Sequence, residues 1–167
     1  IGSELANILD DKEHERSWLS SAQKLRDKFD NEYWEPKLGF YNDTIRKDLT
    51  KDGSIRPNAL VMLLTEVVKD QHKARLVLER LEKDDMATSW GMRSLSSSDP
   101  KYHPTLYHDG AVWPLVTGWA AISEIKNQRT QQALDYLSVM ADRIISENGM
   151  YAETYRGDRP EPFNSCI

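Results

Sequence analysis

The sequence predicts a mainly helical (all-α) protein, in which helical hairpins alternate with long loops and a few short strands. Apolar residues recur at steps of three and four in five segments, which is the spacing of one helix face. Very short turns join the second predicted helix to the third and the fourth to the fifth, and such turns make antiparallel hairpins. Residues 35–56 and 84–109 form long stretches rich in Gly, Ser, Asp, Pro and aromatics. Because long irregular loops are uncommon in compact domains unless they carry function, these loops are the predicted working surface.

The first predicted helix is an amphipathic segment that ends before Pro36. Asp10 followed by Glu13 resembles a capping box and indicates where the helix starts. Pro36 ends the segment because the residue before a proline avoids the helical conformation. We expect Trp18 to lie in the core. The apolar stripe consists of Trp18, Ala22, Leu25, Phe29 and Tyr33.

The second and third helices form the first predicted hairpin. The second starts near Pro57, a residue suited to the first turn of a helix, and Asp70 caps the third. The predicted inward faces are Leu60, Leu63, Leu64, Val67 and Val68 for the second helix, and Ala74, Val77, Leu78 and Leu81 for the third.

The fourth and fifth helices form the second predicted hairpin. The fourth begins near Pro114, and the fifth ends at Gly149, which tolerates the left-handed conformation of a helix end. The predicted inward faces are Leu115, Trp119 and Ile122 for the fourth helix, and Leu134, Leu137, Met140, Ala141 and Ile144 for the fifth. Short strands are predicted at residues 38–41, 91–95 and 150–155.

Length and charge narrow the functional classes. The chain has 167 residues, the size of one domain, and we predict a single domain over residues 1–167. Lys plus Arg number 22 and Asp plus Glu number 27, so the net charge is −5. An acidic chain without a basic run argues against nucleic-acid binding and against docking on an anionic membrane. No apolar run approaches the roughly 20 residues of a membrane span.

The sequence gives little support for a metal or a cofactor. The lone Cys166 excludes an internal disulfide framework and a cysteine-rich zinc site. His103 and His108 are five residues apart, without helical spacing, and no carboxylate–histidine pair has the spacing of a ligand set. A Gly-rich phosphate loop and a Gly-x-Ser-x-Gly elbow are both missing from the sequence. We therefore predict no metal and no cofactor, and the cellular compartment stays open.

The strongest chemical signal lies in residues 150–155, Met-Tyr-Ala-Glu-Thr-Tyr. If this segment is extended, alternate side chains share a face, so Tyr151, Glu153 and Tyr155 point the same way. A carboxylate flanked by two aromatic rings suits a sugar site, because rings stack on apolar sugar faces while the carboxylate handles protons. The alternative is an ordinary strand with a solvated glutamate.

A second cluster of polar and aromatic residues lies at residues 107–114. His108 and Asp109 precede the fourth predicted helix, where unpaired backbone N–H groups point outward. Arg56 and Asn58 make a similar cluster at the start of the second helix. The alternative is that His108 and Asp109 only cap the helix and that the nearby Trp113 belongs to the core.

Four stretches, taken together and in order, match a known family. They are W-E-P-K-L-G-F-Y at 34–41, G-S-I-R-P-N-A-L at 53–60, G-M-R-S-L-S-S-S-D-P at 91–100 followed by Y-H-D-G-A-V-W-P at 107–114, and E-T-Y-R-G-D at 153–158. On these stretches the chain resembles the C-terminal half of the six-hairpin (α/α)6 toroid glycosidases. It is most similar to the amylo-α-1,6-glucosidase module of glycogen-debranching enzymes and their bacterial relatives. The resemblance runs from about residue 10 to the end and implies that the fold is a partial (α/α)6 toroid.

The resemblance implies an inverting glycoside hydrolase, a glucosidase that acts on α-linked glucans or oligosaccharides. In that mechanism one carboxylic acid protonates the leaving oxygen, and an opposed carboxylate about 6.5–9.5 Å away activates water. Glu153 matches the family's base, whereas the general acid belongs to an upstream loop that we do not find in this sequence. In such toroids the loops before the inner helices face the substrate. This implies sugar contacts for Arg56, Asn58, Trp90, Arg93, His108, Asp109, Trp113 and Tyr155.

We expect the chain to be the C-terminal part of such a catalytic domain, because it opens with Ile1 and the resemblance covers about three of six hairpins. On that expectation the isolated chain is inactive, and its partners are an oligosaccharide or polysaccharide substrate and either the rest of the same polypeptide or a second copy. An incomplete toroid leaves helix faces uncovered, which promotes association. The other hypothesis is a non-catalytic helical domain that binds carbohydrate or protein. An Asp or Glu in an upstream Trp-rich loop would favour the enzyme.

Overall fold

The computed structural model describes residues 1–150 and 152–164, and the chain divides into two compact units, Ile1–Trp34 and Glu35–Ile167. The prediction of a mainly helical chain with a few short strands is confirmed. Within the described ranges, no helix combines the length and the apolar character that crossing a membrane requires.

The first unit consists of helices α1 (Gly2–Ile8) and α2 (Lys12–Tyr33). Asp11 caps α2, since its carboxylate accepts a hydrogen bond from the backbone N–H of His14 at 3.1 Å. The predicted cap, Asp10, is wrong, because that residue adopts a left-handed conformation with φ of 56° in the turn before the helix. The predicted burial of Trp18 is also wrong, since 44% of it is exposed, as is 70% of Leu25. The α2 stripe stays open because α1, with seven residues, covers only part of it.

The second unit contains the remaining helices and strands. In chain order they are β1 (Trp34–Glu35, at the boundary), β2 (Phe40–Tyr41), β3 (Thr44–Ile45), β4 (Lys51–Asp52), α3 (Ala59–Leu64), α4 (Gln71–Leu81), β5 (Ala87–Thr88), β6 (Gly91–Arg93), β7 (Val112–Trp113), α5 (Pro114–Lys126), α6 (Thr130–Ser146), β8 (Thr154–Tyr155) and β9 (Pro162–Asn164).

Helix α4 confirms its sequence prediction in both its start and its buried face. The Asp70 carboxylate caps the helix by accepting hydrogen bonds from the backbone N–H groups of His72 and Lys73 at 2.9 and 3.1 Å. Helix α3 has six residues and buries Leu60 and Leu63. The residues of α4 that were predicted to face inward are all buried: Ala74, Val77, Leu78 and Leu81.

Helices α5 and α6 form the predicted hairpin around a turn at residues 127–129, but most of the predicted inward residues are wrong. The buried residues are Val116, Thr117, Ala120, Ala121, Ser123 and Glu124 on α5 and Ala133 and Tyr136 on α6. Both helices carry apolar residues on two sides, and the side that packs within the chain is not the side that was predicted. The following predicted core residues are instead 40–57% exposed: Leu115, Ile122, Leu134, Leu137 and Ile144.

A charged cluster is buried where α5 ends. Glu124 is 1% exposed, and its carboxylate lies 2.8 Å from Nε of Arg129. The Arg129 guanidinium also contacts the Glu82 carboxylate. Burial raises the pKa of Glu124 to about 8, with Arg129 opposing the shift and Glu82 adding to it. Burial therefore favours the protonated form of Glu124 in the folded chain.

A five-stranded antiparallel sheet, in the order β5-β6-β7-β8-β9, joins segments that lie far apart in the sequence. Met92 of β6 pairs with Trp113 of β7, and Val112 of β7 pairs with both Arg93 and Tyr155. Strands β2, β6 and β8 lie within the predicted strands, whereas β7 was not predicted. Because neighbouring strands lie about 4.8 Å apart, the sheet sets the loops next to β6, β7 and β8 side by side.

Candidate active site

Arg56 joins three loops of the second unit. Its guanidinium donates hydrogen bonds to the Asp109 carboxylate at 2.5 Å and to the backbone carbonyl of His108 at 2.6 Å. Its Nε also lies 3.5 Å from the Asp43 carboxylate. Only 16% of the Arg56 side chain is exposed, so these ion pairs are better shielded from water than ordinary surface pairs. The structure thus brings Arg56, His108 and Asp109 together, although 52 residues separate the first two in the chain.

Asn58 enters the same network through Asp43. The Asn58 side-chain amide donates a hydrogen bond to the Asp43 carboxylate at 2.7 Å. Sequence reasoning missed Asp43, which lies in the first long loop just before β3. Its only sequence signal is a position two residues after the matched segment 34–41.

Three rings pack together beside this network. The Tyr107 and Trp113 rings meet edge to face with centroids 4.4 Å apart, and the His108 ring stacks on Trp113 at 6.0 Å with planes 9° apart. The Trp113 indole N–H donates a hydrogen bond to the Tyr107 backbone carbonyl at 2.9 Å. Neither His108 nor Trp113 is a buried core residue, so both rings are partly open to solvent.

An open depression of about 440 Å³ lies over these groups. Its lining includes five residues predicted to contact substrate, namely Arg56, Asn58, His108, Asp109 and Trp113. Asp43 and Ser94 add polar groups, and Leu115 and Trp119 add apolar surface. A concave surface that combines aromatic rings with a few convergent polar groups is typical of a small-molecule site.

Glu153 contacts Tyr107, one of the three rings. The Tyr107 phenol hydroxyl donates a hydrogen bond to Oε1 of Glu153 at 2.6 Å, and the Glu153 side chain is half-buried. The predicted alternation along residues 150–155 is only partly testable, because Tyr151 lies outside the described residues. Strand β8 begins after Glu153, at Thr154.

Tyr155 lies in the core, behind the candidate site. None of its surface is exposed, and it packs with Val112 and Ala152, with Trp90 against this cluster. Its hydroxyl donates a hydrogen bond to the Glu147 carboxylate at 2.8 Å. Tyr155, which was predicted to contact sugar, therefore packs in the core of this chain and does not line the depression.

Trp90 and Arg93 hold the chain segment that follows Glu153. The Trp90 indole N–H donates a hydrogen bond to the backbone carbonyl of Arg156 at 2.9 Å. The Arg93 guanidinium donates hydrogen bonds to the backbone carbonyls of Gly157 and Asp84 at 2.8 and 2.7 Å. Both side chains were predicted to touch sugar, and these contacts give them a bracing role beside the site.

Two glycines allow this segment to approach the loop that carries Tyr107. The Gly157 N–H donates a hydrogen bond to the backbone carbonyl of Pro104 at 2.8 Å. A Cβ atom at position 157 would collide with the backbone carbonyl of Gly110, and one at position 110 would collide with that of His103. The close crossing of the two segments therefore requires glycine at position 157, and the tight path of the loop from His103 requires glycine at position 110.

Arginine side chains hold two aspartates near the site. The Asp109 carboxylate is paired with Arg56. Hydrogen bonds from the Arg156 guanidinium hold the pKa of Asp158 below its usual range, which keeps that carboxyl ionised. In residues 1–150 and 152–164, no cluster of three His, Cys, Asp or Glu side chains has the arrangement of a metal site.

Comparison with known proteins identifies the fold. The family model described as amylo-alpha-1,6-glucosidase matches residues 2–167. No curated protein is significantly similar to the chain in sequence.

Three solved structures share the fold. An uncharacterized conserved protein from Thermus thermophilus has a TM-score of 0.74 and 18% identity, over 98% of this chain and 38% of its own. A GH63 mannosylglycerate hydrolase from the same organism, in complex with glucose, has a TM-score of 0.74 and 17% identity, over 98% of this chain and 40% of its own. A neutral trehalase from Saccharomyces cerevisiae has a TM-score of 0.68 and 18% identity, over 92% of this chain and 30% of its own. The chain thus spans two fifths or less of these proteins, and its fold is part of their (α/α)6 toroid.

Proposed function

Because this chain belongs to the amylo-alpha-1,6-glucosidase family, a family of glycoside hydrolases, we propose that its protein is an inverting glucosidase that cleaves α-linked glucans or oligosaccharides. In this proposal Glu153 is the general base that activates water. The general acid comes from a part of the catalytic domain outside this chain.

The observation that carries the proposal is the hydrogen bond between Glu153 and Tyr107, which links the carboxylate to Trp113 in the lining of the depression. Tyr107 donates a hydrogen bond to Glu153 and packs edge to face on Trp113, which lines the depression. A half-buried carboxylate that is linked through one tyrosine to a concave surface of rings and polar groups suits a base that acts on water beside a sugar.

The residues around the depression divide into two roles in this proposal. Trp113 and His108 present ring surface for the apolar face of a sugar, and Asn58 and Asp109 present polar groups for its hydroxyls. Arg56 fixes the positions of Asp109 and His108 relative to each other, since it donates hydrogen bonds to the Asp109 carboxylate and to the His108 backbone carbonyl. Such fixed positioning matters because small displacements of reacting groups slow catalysis strongly.

The test is Glu153→Gln in the full-length protein. Glutamine keeps the shape of the side chain but takes no proton from water, so we expect kcat to fall by about 10²–10⁴-fold with an unchanged circular dichroism spectrum. Glu161→Gln is the matched control, because Glu161 lies on the same segment, is exposed and pairs with Arg159. Near-normal turnover of Glu153→Gln would remove Glu153 from the mechanism. Loss of activity in both variants would point to damage to the segment instead.

A further inference from the structure

We propose that Tyr107 is a positioning residue for Glu153, whose carboxylate it holds in the orientation needed to activate water. This inference rests on the proposed function, because it assigns a partner to the base of that same reaction. Neither residue pattern nor spacing in the sequence suggested it, since 46 residues separate the two side chains in the chain.

The hydrogen bond itself is the first observation. The Tyr107 hydroxyl lies 2.6 Å from Oε1 of Glu153, within the range of about 2.5–2.7 Å for a hydroxyl that donates to an ionised carboxylate. Both side chains are half-buried, so water competes less for these groups than it does on an open surface. Such a charge-assisted bond is roughly twice as strong as one between neutral groups.

The Tyr107 ring is fixed on several sides, which gives its hydroxyl one direction. Its centroid lies 4.4 Å from that of Trp113 and 4.8 Å from that of His108, with both rings meeting it edge to face. The Trp113 indole N–H also holds the Tyr107 backbone carbonyl at 2.9 Å. The donor is therefore preorganised before any substrate binds.

The two loops that carry the donor and the acceptor are also fixed to each other. Val112 of β7 pairs with Tyr155 of β8, two residues after Glu153. The Gly157 N–H bonds to the Pro104 carbonyl at 2.8 Å, and Gly157 touches the backbone of Gly110. Backbone contacts on both sides of Tyr107 thus keep its loop at a constant distance from the segment that carries Glu153.

A general base works best when its lone pair points at the attacking water, and a carboxylate without a fixed partner samples many orientations. Loss of one charge-assisted hydrogen bond corresponds to about a 10- to 100-fold change in rate. For Tyr107→Phe we expect kcat to fall by that factor and KM to change by less than about twofold, because in this proposal the hydroxyl acts on Glu153 and not on the sugar.

The kinetic test is a double-mutant cycle in the full-length enzyme, with α-glucosyl fluoride as the substrate. We would measure kcat and KM for Tyr107→Phe, Glu153→Gln and the double variant. If Tyr107 acts through Glu153, Tyr107→Phe lowers kcat in the wild-type background and has little further effect in Glu153→Gln. Equal losses in both backgrounds would make Tyr107 a structural residue only and overturn the proposal. Tyr136→Phe, which removes a buried hydroxyl on α6, is the control and should leave kcat unchanged.

A second measurement does not depend on activity. With tyrosine labelled with ¹³C at Cζ, the Tyr107 resonance is identified by its absence in Tyr107→Phe. The chemical shift of this resonance should change in Glu153→Gln and stay unchanged in Glu161→Gln. An unmoved resonance in Glu153→Gln would overturn the proposal.

If Glu153→Gln loses turnover but Tyr107→Phe does not, the inference about Tyr107 fails while the proposed function stands. If Glu153→Gln keeps full turnover, the proposed function itself fails.

Discussion

Substituting lysine for Arg56 separates the charge of this residue from its fork-shaped geometry. The guanidinium reaches the Asp109 carboxylate at 2.5 Å, the His108 carbonyl at 2.6 Å and the Asp43 carboxylate at 3.5 Å. A lysine ammonium keeps the positive charge, but it is a single point on a flexible stem and does not serve three separate acceptors at once. Arg56→Lys should therefore lose two of these three contacts and loosen the attachment between the segments that they join.

The magnitude follows from the bonds that are lost. A hydrogen bond to a charged group contributes roughly 1.5–3 kcal/mol, and two of them suggest a loss of about 3–6 kcal/mol. The Asp109 side chain is 37% exposed, so solvent screens part of its bond to Arg56. We expect Arg56→Lys to lower the free energy of unfolding by about 2–4 kcal/mol.

The assay is urea unfolding of Arg56→Lys, alone and combined with Asp109→Asn. The two substitutions should be non-additive by about 1 kcal/mol or more, because they remove the same contact. Arg46→Lys is the matched control, since Arg46 is 58% exposed and makes a single surface ion pair with Asp52. A loss below about 0.5 kcal/mol for Arg56→Lys, equal to the control, would refute the joining role of this residue.

Trp113→Phe should reduce the change in tryptophan fluorescence when the full-length protein is titrated with glucose, because Trp113 lines the depression. Between about pH 5 and 8 the free energy of unfolding, measured with urea, should fall less steeply in Glu124→Gln than in the wild type. Folding raises the pKa of Glu124 to about 8, so this group stabilises the folded chain fully below about pH 4.5. That contribution to the free energy of unfolding is lost as the pH rises through 8. The slope amounts to at most about 1.4 kcal/mol per pH unit. The purified 167-residue chain should self-associate in light scattering, since α5 and α6 expose large apolar residues.

Each of these expectations has a control and a contrary outcome. Trp18→Phe, in the first unit, is the control and should leave the glucose-induced change in fluorescence intact. If Trp113→Phe changes neither this fluorescence change nor the affinity for glucose, Trp113 does not contact the sugar. Parallel stability profiles for wild type and Glu124→Gln would exclude Glu124 as the source of the slope. Lysine in place of Ile122 and Leu134 should weaken association, whereas a stable monomer of 19.3 kDa without these changes would contradict the expected association.

Local sequence signals predicted the parts of the fold that local interactions determine. Helix α4 begins and buries its side chains as predicted, because Asp70 caps it and its apolar residues occupy a single face. Helix α5 begins at Pro114 as predicted, because the fixed φ of proline suits the first turn of a helix. The buried faces of α5 and α6 were not predictable, because each helix has two apolar sides and periodicity does not say which one packs inside the chain.

The site was predictable in its composition but not in its connections. Arg56, Asn58 and Trp113 were identified from family motifs, and the structure brings them to one depression. The pairing of β7 with β8 was not predictable, since strands of two residues carry no period and their partners lie about 40 residues apart. The contact between Tyr107 and Glu153 depends on that pairing, and the burial of Tyr155 follows from it too.

The proposed inverting mechanism fixes the anomeric configuration of the glucose at the moment of its release. One NMR experiment tests that configuration directly. The full-length protein would be mixed with a maltooligosaccharide that carries an α-1,6-linked glucosyl branch, and the anomeric proton of the freed glucose followed by NMR before mutarotation. An inverting reaction, in which Glu153 directs water to the face opposite the leaving group, yields β-glucose first. Initial release of α-glucose would require a retaining mechanism and would contradict the role of Glu153 as a general base.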